Sequence, residues 1–122
     1  VILLDKTAEV LELMLNASVV VAMQSTTVLE ASIAEKPVIM PHFSELRSDD
    51  GYLDAMLYAQ ERHLFDVPDN REELTSLILH RLDDPIVPPD ILSRRKNMFV
   101  QHVCPLDHNV MSKFISEVKS FI

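Results

Sequence analysis

Apolar residues fall in two spacings along this chain. Short unbroken runs alternate with stretches where apolar positions recur every three or four residues. Val1 to Leu4 is the first run and predicts a buried strand. Thr7 is a cap candidate for a helix over Ala8 to Leu15, with Val10, Leu11, Met14 and Leu15 on one face. Val19 to Ala22 is β-branched and does not alternate, as expected of a strand covered on both faces. Val28 to Ala34 predicts a short helix, Pro37 closes the connection, and Val38 to Met40 predicts a third strand. Strand, helix, strand at this spacing predicts a βαβ unit with parallel pairing.

The second half is mainly helical in pattern. His42 to Gly51 is polar and predicts a loop, and Leu53 to Arg62 is weakly helical. His63 to Val67 predicts a fourth short strand, stopped by Pro68. Asn70-Arg71-Glu72-Glu73 has capping-box spacing and opens a helix with Leu74, Leu77, Ile78 and Leu82 inward. Three prolines between Asp83 and Pro89 break that helix. Asp90 is the expected cap of a helix from Ile91 to about Val103. Asp107 is the expected cap of the last helix, with Val110, Phe114, Ile115, Val118 and Ile122 on one side. The alternation places residues 1–122 in the α/β class, as one Rossmann-like three-layer sandwich with a short, mostly parallel sheet.

Composition narrows the chemistry. The net charge is −8, which disfavours nucleic acid and anionic membrane surfaces. No apolar run approaches the roughly 20 residues of a membrane span, and none reads as a signal peptide. One cysteine, Cys104, excludes an internal disulfide and fits a reducing, cytoplasmic compartment; it reads as a small buried hydrophobe. Gly51 is the only glycine. A Walker A loop or a Gly-x-Gly-x-x-Gly turn needs several, so both are excluded.

The densest chemistry lies between the second and third strands. Gln24, Ser25, Thr26 and Thr27 follow an apolar strand and precede a helix. Open α/β sheets bind ligands at the carboxyl ends of their strands, and a helix N-terminus offers unpaired N–H groups and positive potential. Hydroxyls and N–H groups there suit a diphosphate. Glu30, one turn on, suits a ribose diol. Thr27-Val28-Leu29-Glu30 also fits a capping box, in which Glu30 serves its own helix and no ligand.

Other polar groups carry weaker signals. His42 follows the third strand, where a ligand could reach it, but also reads as an exposed loop histidine. His42, His63, His80, His102 and His108 lack metal-ligand spacing, so no metal and no cofactor is expected. Ser48-Asp49-Asp50 and Arg94-Arg95-Lys96 read as solvated segments, the latter on the outward face of its helix.

The run from Ala17 to Pro41 resembles the C-terminal nucleotide-binding domain of GT-B glycosyltransferases, particularly the capsule and surface-polysaccharide type. Ser25-Thr26-Thr27, Glu30-Ala31 and Lys36-Pro37-Val38-Ile39 match that pattern in spacing. The match is weaker towards the end, at Glu72-Glu73-Leu74 and Asp107. The family often has glycine before Lys-Pro and sometimes in the hydroxyl turn; Glu35 and Gln24 stand near those places here.

The resemblance implies that Ser25, Thr26 and Thr27 contact the diphosphate of a nucleotide-sugar donor and Glu30 its ribose. The sugar then passes to an acceptor hydroxyl, without a tightly bound metal. It also implies an N-terminal partner domain that carries the general base, so the isolated chain is expected to be inactive. Similar turns occur in nucleotide-sugar 2-epimerases, and a non-catalytic interaction domain of the same fold is a third reading. A chain that opens inside a strand without Met predicts a piece of a longer protein. In the strand order 3-2-1-4-5-6 the Val1 and Val19 strands would be third and fourth. Neither intervening strand is present, which predicts a homodimer or an altered sheet order.

Overall fold

The computed structural model describes residues 9–48, 51, 58–107 and 109–120, with backbone only at 110, 111, 113 and 114. The expectations for Val1 to Leu4, Thr7, His108, Ile122 and most of the Leu53 helix lie outside the described residues, as do those for the side chains of Val110 and Phe114. The element order is α1 (Val10–Asn16), β1 (Val20–Val21), α2 (Thr26–Ile33), β2 (Val38–Ile39), α3 (Ser44–Arg47), a 3₁₀ turn (Arg62–Leu64), α4 (Arg71–Asp83), α5 (Pro89–His102) and α6 (Val110–Ser120). The fold is mixed α/β, mostly helical, around a small parallel sheet.

The predicted βαβ unit is present. β1 and β2 pair in parallel with Val20 opposite Val38 and Val21 opposite Ile39. The Val20 N–H donates to the Pro37 carbonyl at 2.9 Å and the Ala22 N–H to Ile39 at 3.1 Å. The fourth strand contracts to one parallel bridge between Ile39 and Asp66. His63 and Leu64 are taken into the 3₁₀ turn instead. The bridge is nonetheless fully bonded, because Asp66 N–H donates to Val38 (3.1 Å) and Met40 N–H to Asp66 (2.8 Å).

The core forms where α2 crosses this sheet. Val28, Ala31, Val38, Ile39 and Met40 are fully buried, and Leu29, Leu64, Phe65 and Met98 nearly so. Burying each large apolar side chain contributes roughly 1.5–3 kcal/mol. α5 packs against α2, the most extensive helix contact among the described residues, and α4 packs against β2.

Several predicted faces differ. On α1 only Met14 is buried, while Val10, Leu11 and Leu15 are more than half exposed. Met14 enters the core. Val10 and Leu13 border a cavity of about 270 Å³ beside β1, and Leu11 and Leu15 one of about 320 Å³ beside Ile33 and Phe99. On α4, Leu74, Leu77 and Ile78 are half-buried and Leu82 is exposed, so this helix buries no residue completely. On α6, Ile115 and Val118 are exposed. The predicted loop after His42 contains α3. Cys104 is half-buried.

Helix ends follow local chemistry. The Asn70 cap is as predicted: its side chain accepts from the Glu73 N–H at 2.9 Å, and Glu73 in turn accepts from the Asp69 N–H. α5 begins earlier than predicted. Pro89 takes the first helical position, where a missing N–H costs nothing, and Asp90 lies in the first turn and is not the cap. Asp107 accepts from the Asn109 N–H at 3.2 Å, ahead of α6.

Arg95 is the largest correction to the predicted surface. It is 2% exposed, whereas Arg94 is exposed. Its Nε and Nη2 donate to the Leu64 carbonyl at 2.9 and 2.7 Å, and its Nη1 to Lys36 at 2.9 Å. The guanidinium lies 4.7 Å from the Phe65 ring centroid. Arg95 therefore ties the entry of β2 to the segment that bridges it. Burial pushes its pKa down to about 10, with Asp66 opposing and Arg81 adding to the shift.

Candidate functional site

The crossover turn sits at the carboxyl end of β1. Ser25 is the N-cap of α2, with extended backbone (φ −130°, ψ 149°). Its Oγ accepts from the Thr27 N–H at 3.2 Å and its hydroxyl donates to Thr27 Oγ1 at 3.0 Å. The Val28 N–H donates to the Ser25 carbonyl at 3.0 Å. Two of the N–H groups opening α2 are thus used internally. Thr26, the first helical residue, is exposed, and its N–H has no acceptor among the described residues.

Ser25 as cap overturns the Thr27–Glu30 capping box. Glu30 lies five positions past the cap, too far along the helix to reach back to it. It is exposed, and its carboxylate has no hydrogen bond or ion pair among the described residues. Glu30 borders the cavity lined by Leu11, Leu15, Ile33, Ala34 and Phe99. Thr27 borders the other one, between α1 and β1. Ser25, Thr26 and Thr27 are brought together at the turn, whereas Thr27 and Glu30 border different cavities.

Two backbone conformations mark this unit. Gln24 has φ 36° and Glu35 φ 59°, both in the left-handed region that favours glycine. Glu35 follows the C-terminus of α2. Its N–H donates to Ser32 and that of Lys36 to Ala31, the paired closing bonds of a Schellman motif. The turn before α2 and the turn after it therefore both use a glycine-type conformation without glycine.

His42 stands beyond β2, at the same carboxyl edge. It is fully buried, which overturns the exposed-loop reading. Burial lowers its pKa below the ordinary value, and the positive charges of Arg47 and Arg62 lower it further. Arg47 forms an ion pair with Asp69, whose carbonyl also accepts from the Ser44 N–H at 3.0 Å. α3 is thereby fixed to the turn ahead of α4.

Arg81 and Arg95 form a second basic group, which borders a cavity of about 180 Å³. Arg81 makes a forked pair with Asp66 at 2.6 and 3.1 Å and donates to the Ile86 carbonyl. Both guanidinium groups serve internal acceptors. Arg95 falls in step with Ile91 and Met98, at i, i+4 and i+7, the spacing that signals an inward position. No group of His, Cys, Asp and Glu among the described residues could hold a metal ion. No helix among them is long and apolar enough to cross a membrane. No protein-family profile, curated protein or solved structure matches the chain.

Proposed function

We propose that the chain is the donor-binding part of a GT-B-like glycosyltransferase, with the α2 N-terminus holding the diphosphate of a nucleotide-sugar. The reading extends to a Rossmann-like three-layer parent domain, to a cytoplasmic enzyme and to synthesis of surface polysaccharide or glycolipid. The observation that carries it is the exposed Thr26, with N–H and hydroxyl both available, at the carboxyl end of β1 in a parallel β1–α2–β2 crossover. A diphosphate there meets the Thr26 N–H and hydroxyl and the positive end of the helix dipole. The left-handed backbone at Gln24 and Glu35 adds support, because the resembled pattern carries glycine near those two places.

In the transfer, the bond from the sugar to the diphosphate oxygen breaks and one to the acceptor oxygen forms. Charge develops on the leaving diphosphate, and fixed donors that face it lower the barrier. The acceptor proton passes to a base outside these residues, so the chain alone binds the donor without turning it over.

Thr26→Pro is the sharpest variant. Proline is well accepted at the first helical position, and extended Ser25 is compatible with a following proline. The change removes both the N–H and the hydroxyl. Calorimetric titration with uridine diphosphate should show affinity falling at least about tenfold, or 1.4 kcal/mol, with melting unchanged. Wild-type affinity in Thr26→Pro overturns the assignment. Glu30→Ala should weaken uridine diphosphate, and leave inorganic pyrophosphate and melting unaffected.

A second reading, a non-catalytic interaction domain, has its own support. The Ser25 and Thr27 hydroxyls satisfy each other, and Thr27 and Glu30 border different cavities. No binding of millimolar uridine diphosphate would select it.

A further inference from the structure

We infer that the cavity between Arg81 and Arg95 binds a small monocarboxylate with a compact apolar body. The cavity is about 180 Å³ and is bordered entirely by described residues. Both arginines border it, as do Asp66 and Leu64, whose oxygens hold them, which places the guanidinium ends at its wall. It lies towards the amino end of the sheet, because Arg95 binds the carbonyls of Lys36 and Leu64, ahead of β2 and its bridge. The hydroxyl turn is at the carboxyl end, so this site is separate from the proposed donor site.

Charge selects an anion. Arg95 is 2% exposed, and its hydrogen bonds all go to neutral carbonyls. A guanidinium taken out of water needs a counter-charge. Asp66, the acid that borders the cavity, already takes the fork of Arg81. Two cations and one carboxylate leave one positive charge over. The three groups feel one another, since Asp66 raises the pKa of Arg95 and Arg81 lowers it. Asp84 and Asp90 are exposed and do not border the cavity, so solvent screens them. Pro88 and Ile91, at the N-terminus of α5, do border it, and that helix opens without a side-chain cap. The helix dipole therefore adds positive potential there.

Donors and shape narrow the anion. A guanidinium carries five N–H groups. Arg81 uses three of them, on Asp66 and the Ile86 carbonyl, and Arg95 uses three on its two carbonyls. The remaining N–H groups of both have no acceptor among the described residues, and a carboxylate matches such planar donors. One excess charge fits a monoanion, because a second negative charge would face Asp66 unbalanced. The rest of the wall is apolar, with Leu64, Phe65 and Val87 buried around it. Its volume slightly exceeds the roughly 150 Å³ that takes up benzene in a protein interior. A carboxylate on a single ring or a short branched chain fills both parts.

Arginine side-chain NMR tests this on the isotope-labelled full chain. During titration with sodium benzoate at constant ionic strength, the Nε–H signals of Arg81 and Arg95 should shift together and saturate with one dissociation constant. Benzyl alcohol offers the ring without the charge, and inorganic phosphate the charge without the ring. Each should bind at least about tenfold more weakly. Asp66→Asn keeps an acceptor for Arg81, removes the competing charge and should tighten benzoate several-fold. Arg81→Gln should weaken it at least about tenfold. Should the glutamine variant fail to fold, the wild-type titrations and Asp66→Asn still decide. Nε–H signals that stay in place with tens of millimolar benzoate overturn the proposal. Equal binding of benzyl alcohol or phosphate does so too, as does unchanged or weaker benzoate affinity in Asp66→Asn.

Discussion

Glu35 shows how one residue can be legible in identity and opaque in conformation. It reads as an ordinary surface carboxylate before Lys36-Pro37. In the structure it closes α2 in left-handed backbone, which for a residue with a Cβ costs about 1 kcal/mol. Its ion pair with Lys96 joins two half-exposed side chains and offsets little of that cost. Glu35→Gly should therefore stabilise the protein by roughly 0.5–1 kcal/mol, after allowing for the freer unfolded chain. Thermal melting should rise by about 2–5 °C. A fall would show that the Lys96 pair, and not backbone geometry, governs this corner. Asn70 was the easier case, because Asn followed three residues later by Glu is a purely local signal. Ser25 was missed as the cap of α2, and Thr27 read in its place, because both are hydroxyl residues able to cap and the choice between them depends on where β1 stops.

Among the elements, the crossover was the most readable, since a β-branched run, a short helix and Lys-Pro-Val-Ile need only local pattern. The strand expected at His63 was not. Its single bridge at Asp66 follows Leu64, whose carbonyl is held by Arg95, 31 residues later in the chain. The adjacent Arg94 and Lys96 made a charged triplet look like a solvated face, although the Ile91–Met98 spacing pointed Arg95 inward. Arg95→Met should leave the buried Leu64 and half-buried Lys36 carbonyls without donors and cost about 3 kcal/mol by denaturant unfolding. Arg95→Lys should recover less than half, because a compact ammonium cannot span two carbonyls as the guanidinium fork does. Full recovery by lysine would show that charge alone suffices. The exposed flanks of α1 belong to this scale too: periodicity identified its apolar positions but not which of them find a neighbour.

For the whole molecule, His42 links the candidate edge to stability. Its pKa is lower in the folded state than in the unfolded chain, through burial first and then Arg47 and Arg62. Above about pH 6.5 it is neutral in both states and adds no pH dependence. As pH falls below that value the unfolded chain takes the proton first, so stability is lost on acidification. Melting should drop between pH 7 and pH 5, and His42→Gln should remove that part of the drop. An unchanged slope in the variant would place the pH dependence elsewhere. The burial of His42 was not legible, because the polar pattern that follows it predicts a solvated loop, and gives no sign of α3 starting two residues later.

Residue-resolved amide NMR during titration with uridine diphosphate tests the donor-binding proposal most directly. The amides of Thr26, Thr27 and Val28 should shift together and saturate with one dissociation constant, while amides at the far end of α2 stay in place. No movement at Thr26 with millimolar ligand, or shifts confined to another part of the protein, would contradict a diphosphate site at the hydroxyl turn.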